Sequence, residues 1–337
     1  MNPFLTDGQA VCFYASPSTD PYWNLAAEEH LFSTLPPHTA CLYLWRNDRT
    51  VVIGNYQNAV EEIDPEYIEA HQIKVARRMS GGGAVYHDLG NLNFSIILDD
   101  GAVQPDEFLS LAEPVLQALH RLHVPAELTG RNDIMIRGRK ISGCAQYRSG
   151  DRLLCHGCIM LDTDLRHLLG ALNVHQLKID SYSTKSVSSH VVTINQCVPS
   201  PIPMARLIEA IKESFLSGAN ARPYVPSSED LRAIERLRTE KYGTWDWNYG
   251  HYAEYRIQKE QRYPYGLIKL SMNVQDACIQ DILIQGDFFG DGDIQELTGA
   301  LKGLRLDDSL EEALEALDIP AFIHGMSARE LELFLRF

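Results

Sequence analysis

The chain of 337 residues has no apolar run approaching the roughly 18 residues that a membrane-spanning helix requires. Residues 1–10 lack the charged and then apolar pattern of a secretory leader, so neither insertion nor export is expected. Basic charge is not in excess. Thirty lysines and arginines face 45 aspartates and glutamates, a formal net charge of −15, and the pI is near 5.2. That balance supplies no general field for nucleic acid or anionic lipid. Cysteine is sparse and odd in number, seven without a framework spacing, which excludes a disulfide scaffold and suits a reducing compartment such as the bacterial cytoplasm. No GxxxxGK[ST] phosphate loop occurs, so any nucleotide is held by a different fold. Cys155-x-x-Cys158 lacks the second ligand pair of a zinc site, and within a strand its two thiols fall on opposite faces. Asp287, Asp291 and Asp293 lack the closing glutamate of an EF-hand, and Asp287-Phe288-Phe289-Gly290 lacks every other kinase element.

What is present centres on Arg77 to Asn91. Three consecutive glycines, Gly81 to Gly83, follow two arginines and Ser80. Glycines cost chain entropy, and they permit backbone angles and close ligand approach that other residues forbid. Val75-Ala76 and Ala84-Val85-Tyr86 read as strand ends on either side, which makes the glycines a loop between strands. With Arg77 and Arg78 adjacent, an anion-binding loop is expected, a tight turn with surface arginines being the alternative.

Helix signals stand at Asp20-Pro21 and Asp64-Pro65, each an N-cap followed by proline at the first helical position. An apolar stripe predicts a helix at 108–122, and the proline-rich run 199–203 introduces a further helix at 204–215. Residues 40–46 and 50–54 read as a hairpin around Asn47-Asp48-Arg49, and residues 134–142 as a second around Arg137-Gly138. Further strands are predicted at 92–98 and 153–161. Strands mixed with helices, without strict alternation, indicate α+β with a mixed sheet. The serine-rich stretch 181–189 reads as a loop. From 251 onward 8 lysines and arginines face 16 aspartates and glutamates, more than half of the net charge. Paired strands at 268–274 and 279–284 and helices at 308–317 and 327–335 are expected there. The predicted boundary is 250, with a large domain over 1–250 and a small α/β accessory domain over 251–337.

Several motifs together resemble the lipoate–protein ligases, in the two-domain bacterial form of the biotin/lipoate ligase superfamily. They are RRMSGGGAVYHDLGN, Leu44-Trp45-Arg46-Asn47, Gly130-Arg131-Asn132-Asp133, Arg139-Lys140-Ile141-Ser142-Gly143, His156-Gly157 and the Trp245-to-Gly250 run. On residues alone, Asp133 and Lys140 are a hairpin salt bridge or a metal–nucleotide site. The resemblance implies the second: Lys140 contacts the acyl carboxylate and α-phosphate as the catalytic residue, and Asp133 positions Mg²⁺. It also assigns Arg78, Ser80, Gly83, Ala84, His87, Asn91, Asn132, His156 and Lys185 to acyl and adenylate binding. Two departures bear on the nucleotide grip: Asn55 stands where relatives carry arginine, and Ser188 and His190 stand where they carry two more.

The implied activity is ATP-dependent formation of lipoyl-AMP, followed by transfer of the lipoyl group to a lysine. The implied acceptors are lipoyl domains of 2-oxoacid dehydrogenase complexes or a glycine-cleavage carrier protein, with no nucleic-acid or membrane partner. Two other classes are open: an ATP-independent acyltransferase using Cys144, and a non-catalytic lipoate-binding relative.

Overall fold

A computed structural model describes residues 9–99, 108–129, 133–173, 190–217, 219, 221–249, 257–275, 277–306 and 309–336. In chain order, β1 (Ala10–Ala15) leads into helix α1 (Pro21–Thr34) and β2 (Thr39–Trp45). Then come β3 (Thr50–Ile53), β4 (Lys74–Arg77), β5 (Val85–His87) and β6 (Asn91–Asp99). They are followed by β7 (Glu127–Thr129), β8 (Asp133–Ile136), β9 (Arg139–Ser149), β10 (Arg152–Met160) and β11 (Ala221–Pro223). Eight of these make one sheet in the order β11-β1-β2-β6-β10-β9-β8-β7. Strand β1 runs parallel to both its neighbours and every other pair is antiparallel, which is the mixed sheet that the sequence predicts.

One sheet face is covered by the helices Phe108–Arg121 and Met204–Phe215, over a core that includes Leu42, Phe94, Ile96, Leu119 and Phe215. The other face carries α1, with Leu25, Leu31, Tyr43 and Ile97 between them. A second sheet, β4-β3-β5, stands beside this one and packs Val51, Ile53, Val75 and Tyr86 against Ile68 and Leu168 from two short helices.

The C-terminal sheet is an antiparallel meander of β12 (Ile257–Tyr263), β13 (Gly266–Gln275) and β14 (Cys278–Gly286). Helices Ile294–Leu301, Leu310–Glu315 and Ala328–Arg336 cover it around Leu270, Ile284, Leu297 and Leu314. A small C-terminal sheet domain is therefore present; β12 and the helix Ile294–Leu301 were not predicted. Residue 250, the predicted boundary, lies outside the described residues, as does the stretch 181–189. One residue of the large domain enters the C-terminal core: Tyr56 stacks on Phe288 with centroids 4.7 Å apart, and its carbonyl accepts from Gly286 N at 2.6 Å.

The hairpin around Arg137-Gly138 forms as predicted. Both turn residues have positive φ, 51° and 72°, which suits the twist of a two-residue connection. The one predicted between residues 40 and 54 does not form. Strand β2 belongs to the large sheet, whereas β3 pairs with β4 and β5 in the second. Asn24 on α1 explains the break. Its amide donates to Arg46 O at 2.9 Å and Asn47 Oδ1 at 3.0 Å, groups that a hairpin would turn toward itself. Its Oδ1 accepts from Ser16 Oγ at 2.6 Å and Tyr43 OH at 3.2 Å. Asp20 occupies the N-cap position of α1, but its carboxylate pairs with Lys74 and makes no capping bond. Asp64 does cap its helix, accepting from Tyr67 N at 2.9 Å.

Replacing Asn24 with alanine strands at least two buried partners. A loss of about 2–4 kcal/mol is expected, read as a lower urea midpoint at unchanged slope; an unchanged midpoint would show that the connector holds without the clamp.

Candidate active site

Strand register lays out the site before any side chain is considered. Trp45 on β2 pairs with Asn93 on β6, Asn93 with Cys158 on β10, Cys158 with Gly143 on β9, and Gly143 with Asp133 on β8. Four inter-strand steps of about 4.8 Å make this a straight row of about 19 Å across five strands. Two residues along, on the same face, Tyr43, Ser95, His156 and Ala145 form a second row. Strand β9 carries a bulge between these rows and its start: Ile134 faces Ser142, but Met135 faces Lys140. The extra residue reverses the alternation, so Ile141 turns into the core and Lys140 joins Gly143 on the open face. A side chain on Gly143 would collide with it, its Cβ lying 2.8 Å from Lys140 Nζ.

Over this face lies a cavity of about 680 Å³, part of it open to solvent. Lys140 sits at one end, ion-paired to Asp133 at 2.7 Å. Leu25, Trp45, His87 and Asn93 close the other, and the glycine loop forms a side wall. Of the residues predicted from sequence, Arg78, Gly83, Ala84, His87, Lys140 and His156 line the cavity. Ser80 and Asn91 stand one layer behind, fully buried. Asn132 and Lys185 lie outside the described residues, as does Ser188; His190 contributes its carbonyl to Lys140 N at 2.7 Å. Asn55 lines a separate cleft against the C-terminal sheet.

The arginines act differently from the sequence reading. Arg77 donates to the carbonyls of Gly54, Asn55, Gln57, Trp247 and Asn248, all within 3.0 Å, so it ties the end of β3 to residues 247–248 and directs its guanidinium at main chain. Arg78 also grips carbonyls, Gly81 O at 2.6 Å and Gly83 O at 2.9 Å, while bordering the cavity. Burial holds both guanidinium groups down at about 10, where they are still charged near neutrality.

Each glycine of the loop is required for its own reason. A Cβ on Gly81 would lie 2.2 Å from Phe288 O, and Gly82 has a φ of 86° with Phe289 against it at 3.0 Å. Gly82 N also donates to Phe288 O at 3.1 Å, so this turn of the C-terminal domain is seated on the loop, and Phe289 becomes part of the cavity wall. At Gly83 a Cβ would meet nothing within 4 Å. No protein neighbour demands a glycine there; the space it leaves open belongs to the cavity.

Behind the loop runs a chain of buried polar groups. Glu28 on α1 accepts from His156 Nδ1 at 2.9 Å and Ser95 Oγ at 2.5 Å. With its Nδ1 proton held by Glu28, His156 accepts at Nε2 from Ser80 Oγ, 2.6 Å away, and Ser80 in turn accepts from Arg78 Nε at 3.0 Å. Sequence reading missed Glu28, Asn93 and Phe289. The signal for Glu28 was its spacing of four from Asn24, beside Leu25 and Phe32 on the apolar stripe of α1.

His87 is buried under Trp45, 6.1 Å between ring centroids, and its Nδ1 faces Asn47 Nδ2 at 3.3 Å. Burial, with Arg78 and then His156 nearby, pushes its pKa from 6.5 down to about 3. Cys144 borders the cavity, with its side chain in the core cluster. A Cβ on Gly157 would come within 2.7 Å of both Cys144 Sγ and Phe94 Cζ, which places the thiol on the core side, and burial drives it up to about 12. Cys158 borders the cavity and Cys155 enters the core, the split between faces that strand alternation predicts.

Residues 20–216 match the family model of the lipoyl protein ligase A/B catalytic domain, and residues 253–335 that of the bacterial lipoate protein ligase C-terminus. The chain is 39% identical over 314 residues to Lipoate--protein ligase 1 of Staphylococcus aureus, covering 93% of this chain and 96% of the relative. It is 38% identical over 315 residues to lipoate-protein ligase LplJ of Bacillus subtilis, covering 92% and 95%. The crystal structure of a lipoate-protein ligase A bound with ATP matches with a TM-score of 0.62 at 28% identity, over 72% of this chain and 99% of that one. LipL1 of P. falciparum, solved in complex with lipoate, matches with a TM-score of 0.75 at 22% identity over 97% and 98%, a likeness of fold.

Two outcomes test the site as built. Gly81→Ala is expected to unseat the Phe288 turn, speeding hydrogen exchange at the Gly82 amide that now donates to Phe288 O; an unchanged exchange rate would mean that the turn is held elsewhere. His87 accepts its proton only in the unfolded chain between pH 6.5 and about 3. Stability therefore falls as pH drops through that window, by up to about 1.4 kcal/mol per unit, and is flat above it. His87→Gln should flatten the dependence of the urea midpoint between about pH 7 and pH 5; an unchanged slope would assign it to other groups.

Proposed function

The chain belongs to the lipoate–protein ligase family, and from that premise we propose that it activates lipoate with ATP and passes the lipoyl group to a carrier lysine. One observation carries this reading. The cavity is a slot with a cation at one end and an aromatic, closed end at the other, and its wall at Gly83 is bare for no reason internal to the protein.

In the first step a carboxylate oxygen of lipoate attacks the α-phosphate of ATP, and pyrophosphate leaves. In the second, the amine of a carrier lysine attacks the acyl carbon of lipoyl-AMP, AMP departs, and an amide forms. Both steps build negative charge, on phosphate oxygens and then on the acyl oxygen. Lys140, which the bulge aims along the sheet, is the ammonium placed to meet it. Gly83 and Ala84 let the acyl phosphate lie against main chain, and Arg78 fixes the carbonyls of that loop. The Ser80–His156–Glu28 chain positions the loop and gives the nucleophile no base.

Asp133 suits Mg²⁺ by its chemistry, a hard oxygen at the Lys140 end; one protein carboxylate with substrate phosphates and water completes the shell this ion prefers. Among the described residues no cluster of three ligating side chains exists, so Asp133 would hold the ion with help from the nucleotide. When bound, Mg²⁺ supplies charge to the departing pyrophosphate.

Acceptors of the class proposed are lipoyl domains of 2-oxoacid dehydrogenase complexes and the glycine-cleavage carrier protein. A cytoplasmic setting fits the thiol content, and no helix among the described residues is long and apolar enough to cross a membrane. The Cys144 route is disfavoured by a thiol that faces the core and is protonated near neutrality.

Lipoate-dependent exchange of pyrophosphate into ATP is the deciding measurement. Exchange is expected; lipoate binding without it would make the chain a non-catalytic relative, and a cysteine-bound acyl adduct formed without ATP would make it a transferase. Lys140→Ala should lower the exchange rate by about 10²–10³ with the melting temperature unchanged. Gly83→Ala should raise KM for lipoate at unchanged stability, a split that a merely structural glycine would not give.

A further inference from the structure

The closed end of the cavity is not apolar throughout. Asn93 and His87 both line it, and both are at least nine-tenths buried. Asn93 Oδ1 accepts from Asn91 Nδ2 at 2.9 Å, which leaves Asn93 Nδ2 with no partner among the described residues. His87 faces Asn47 Nδ2 through Nδ1, so the proton of the neutral ring is on Nε2, and that atom too is without a partner. Two buried N–H donors without a partner thus belong to residues that line this end of the cavity, beside Trp45 and Leu25. A buried donor without an acceptor is a strong preference waiting for a ligand atom.

The distance fits one part of the substrate. Asn93 lies two strands from Gly143, which Lys140 Nζ abuts, and two strand spacings are about 10 Å. With the carboxylate at Lys140, a five-carbon tether of bonds of about 1.5 Å puts the ring that follows about 7–9 Å away. A dithiolane carries two sulfurs, weak acceptors, where octanoate has only methylene and methyl.

We propose that Asn93, with His87 beside it, is the specificity residue for the distal end of the acyl chain, donating to dithiolane sulfur and so selecting lipoate over octanoate. The proposal rests on the lipoate-activating reading above. Octanoate would press its methyl end against both donors and expel any water that served them. Sulfur in the same place satisfies them at least in part.

Pyrophosphate exchange in the holoprotein, with kcat and KM for each acid, tests this. Wild type should favour lipoate over octanoate by about tenfold or more in kcat/KM. It should also favour 6-(methylthio)hexanoate over octanoate several-fold, a change of one methylene to sulfur at constant length. Asn93→Leu should collapse both preferences, with KM for ATP unchanged; a structural defect would weaken both acids alike. Because that variant strands Asn91 Nδ2, the double variant Asn91→Leu with Asn93→Leu removes both partners and keeps the comparison available. The sulfide arm needs no variant at all. No exchange with any acid would sink the ligase reading itself. Exchange with lipoate, octanoate and the sulfide at equal kcat/KM would overturn this inference alone.

Discussion

A buried carboxylate holds the catalytic half of this fold in shape. Glu28 is fully enclosed, and it is tolerated because His156 and Ser95 bring it hydrogen bonds from two adjacent strands. Removing either donor would leave the other as its one hydrogen-bonded partner here, a loss of about 1–3 kcal/mol for a buried group of this kind. Through His156 and Ser80 the same carboxylate reaches Arg78, and Arg78 fixes the carbonyls on both sides of Gly82. Helix α1, the central strands β6 and β10, and the glycine loop are thereby one connected piece. Trp45, donating to Ser95 Oγ at 2.9 Å, joins the closed end of the cavity to it.

The loop's other side is set by the C-terminal domain. Phe288 fills that domain's core, stacks on Tyr56 and presents its carbonyl to Gly82 N. One residue thus couples two cores through a single peptide group. The loop amide at residue 82, a donor that a phosphate could use, is occupied while that turn is seated. Any ligand that recruits it has to displace a protein carbonyl, so ligand affinity and the seating of the turn are thermodynamically linked.

Local chemistry made much of this legible in the sequence. Proline after an N-cap residue marked α1 and the helix at 65–70, Arg137-Gly138 marked a turn with positive φ, and the helix introduced by the proline run 199–203 spans 204–215 as expected. The triple glycine pointed to the cavity wall. What escaped was set by contacts between distant residues. The segment 40–54 reads as a hairpin by every local rule, yet Asn24 redirects it and sends β3 into another sheet. Glycine's role at 81 depends on a carbonyl two hundred residues on. Arg77 resembles a ligand residue in sequence and is a staple of main-chain carbonyls in space, a distinction that one-dimensional spacing does not carry.

The pair Lys140–Asp133 shows how such a site stays usable. Both side chains are about a quarter to a third exposed, and a pair of that exposure contributes about 0–1 kcal/mol. Lys140 is thus kept extended along the sheet at almost no energetic penalty for letting go. In the proposed reaction an incoming carboxylate or phosphate, stripped of water against Gly83 and the loop, would offer a stronger partner than the partly exposed Asp133. In the reaction proposed above, release of Asp133 would free a hard oxygen for the counter-ion of an incoming polyphosphate. A buried, tightly satisfied pair would have held Lys140 more firmly and left it useless, because each exchange of partners would carry the full desolvation cost. On the proposed reaction, partial exposure of this end of the slot is the condition for turnover, just as full burial of Glu28 at the other end is the condition for shape.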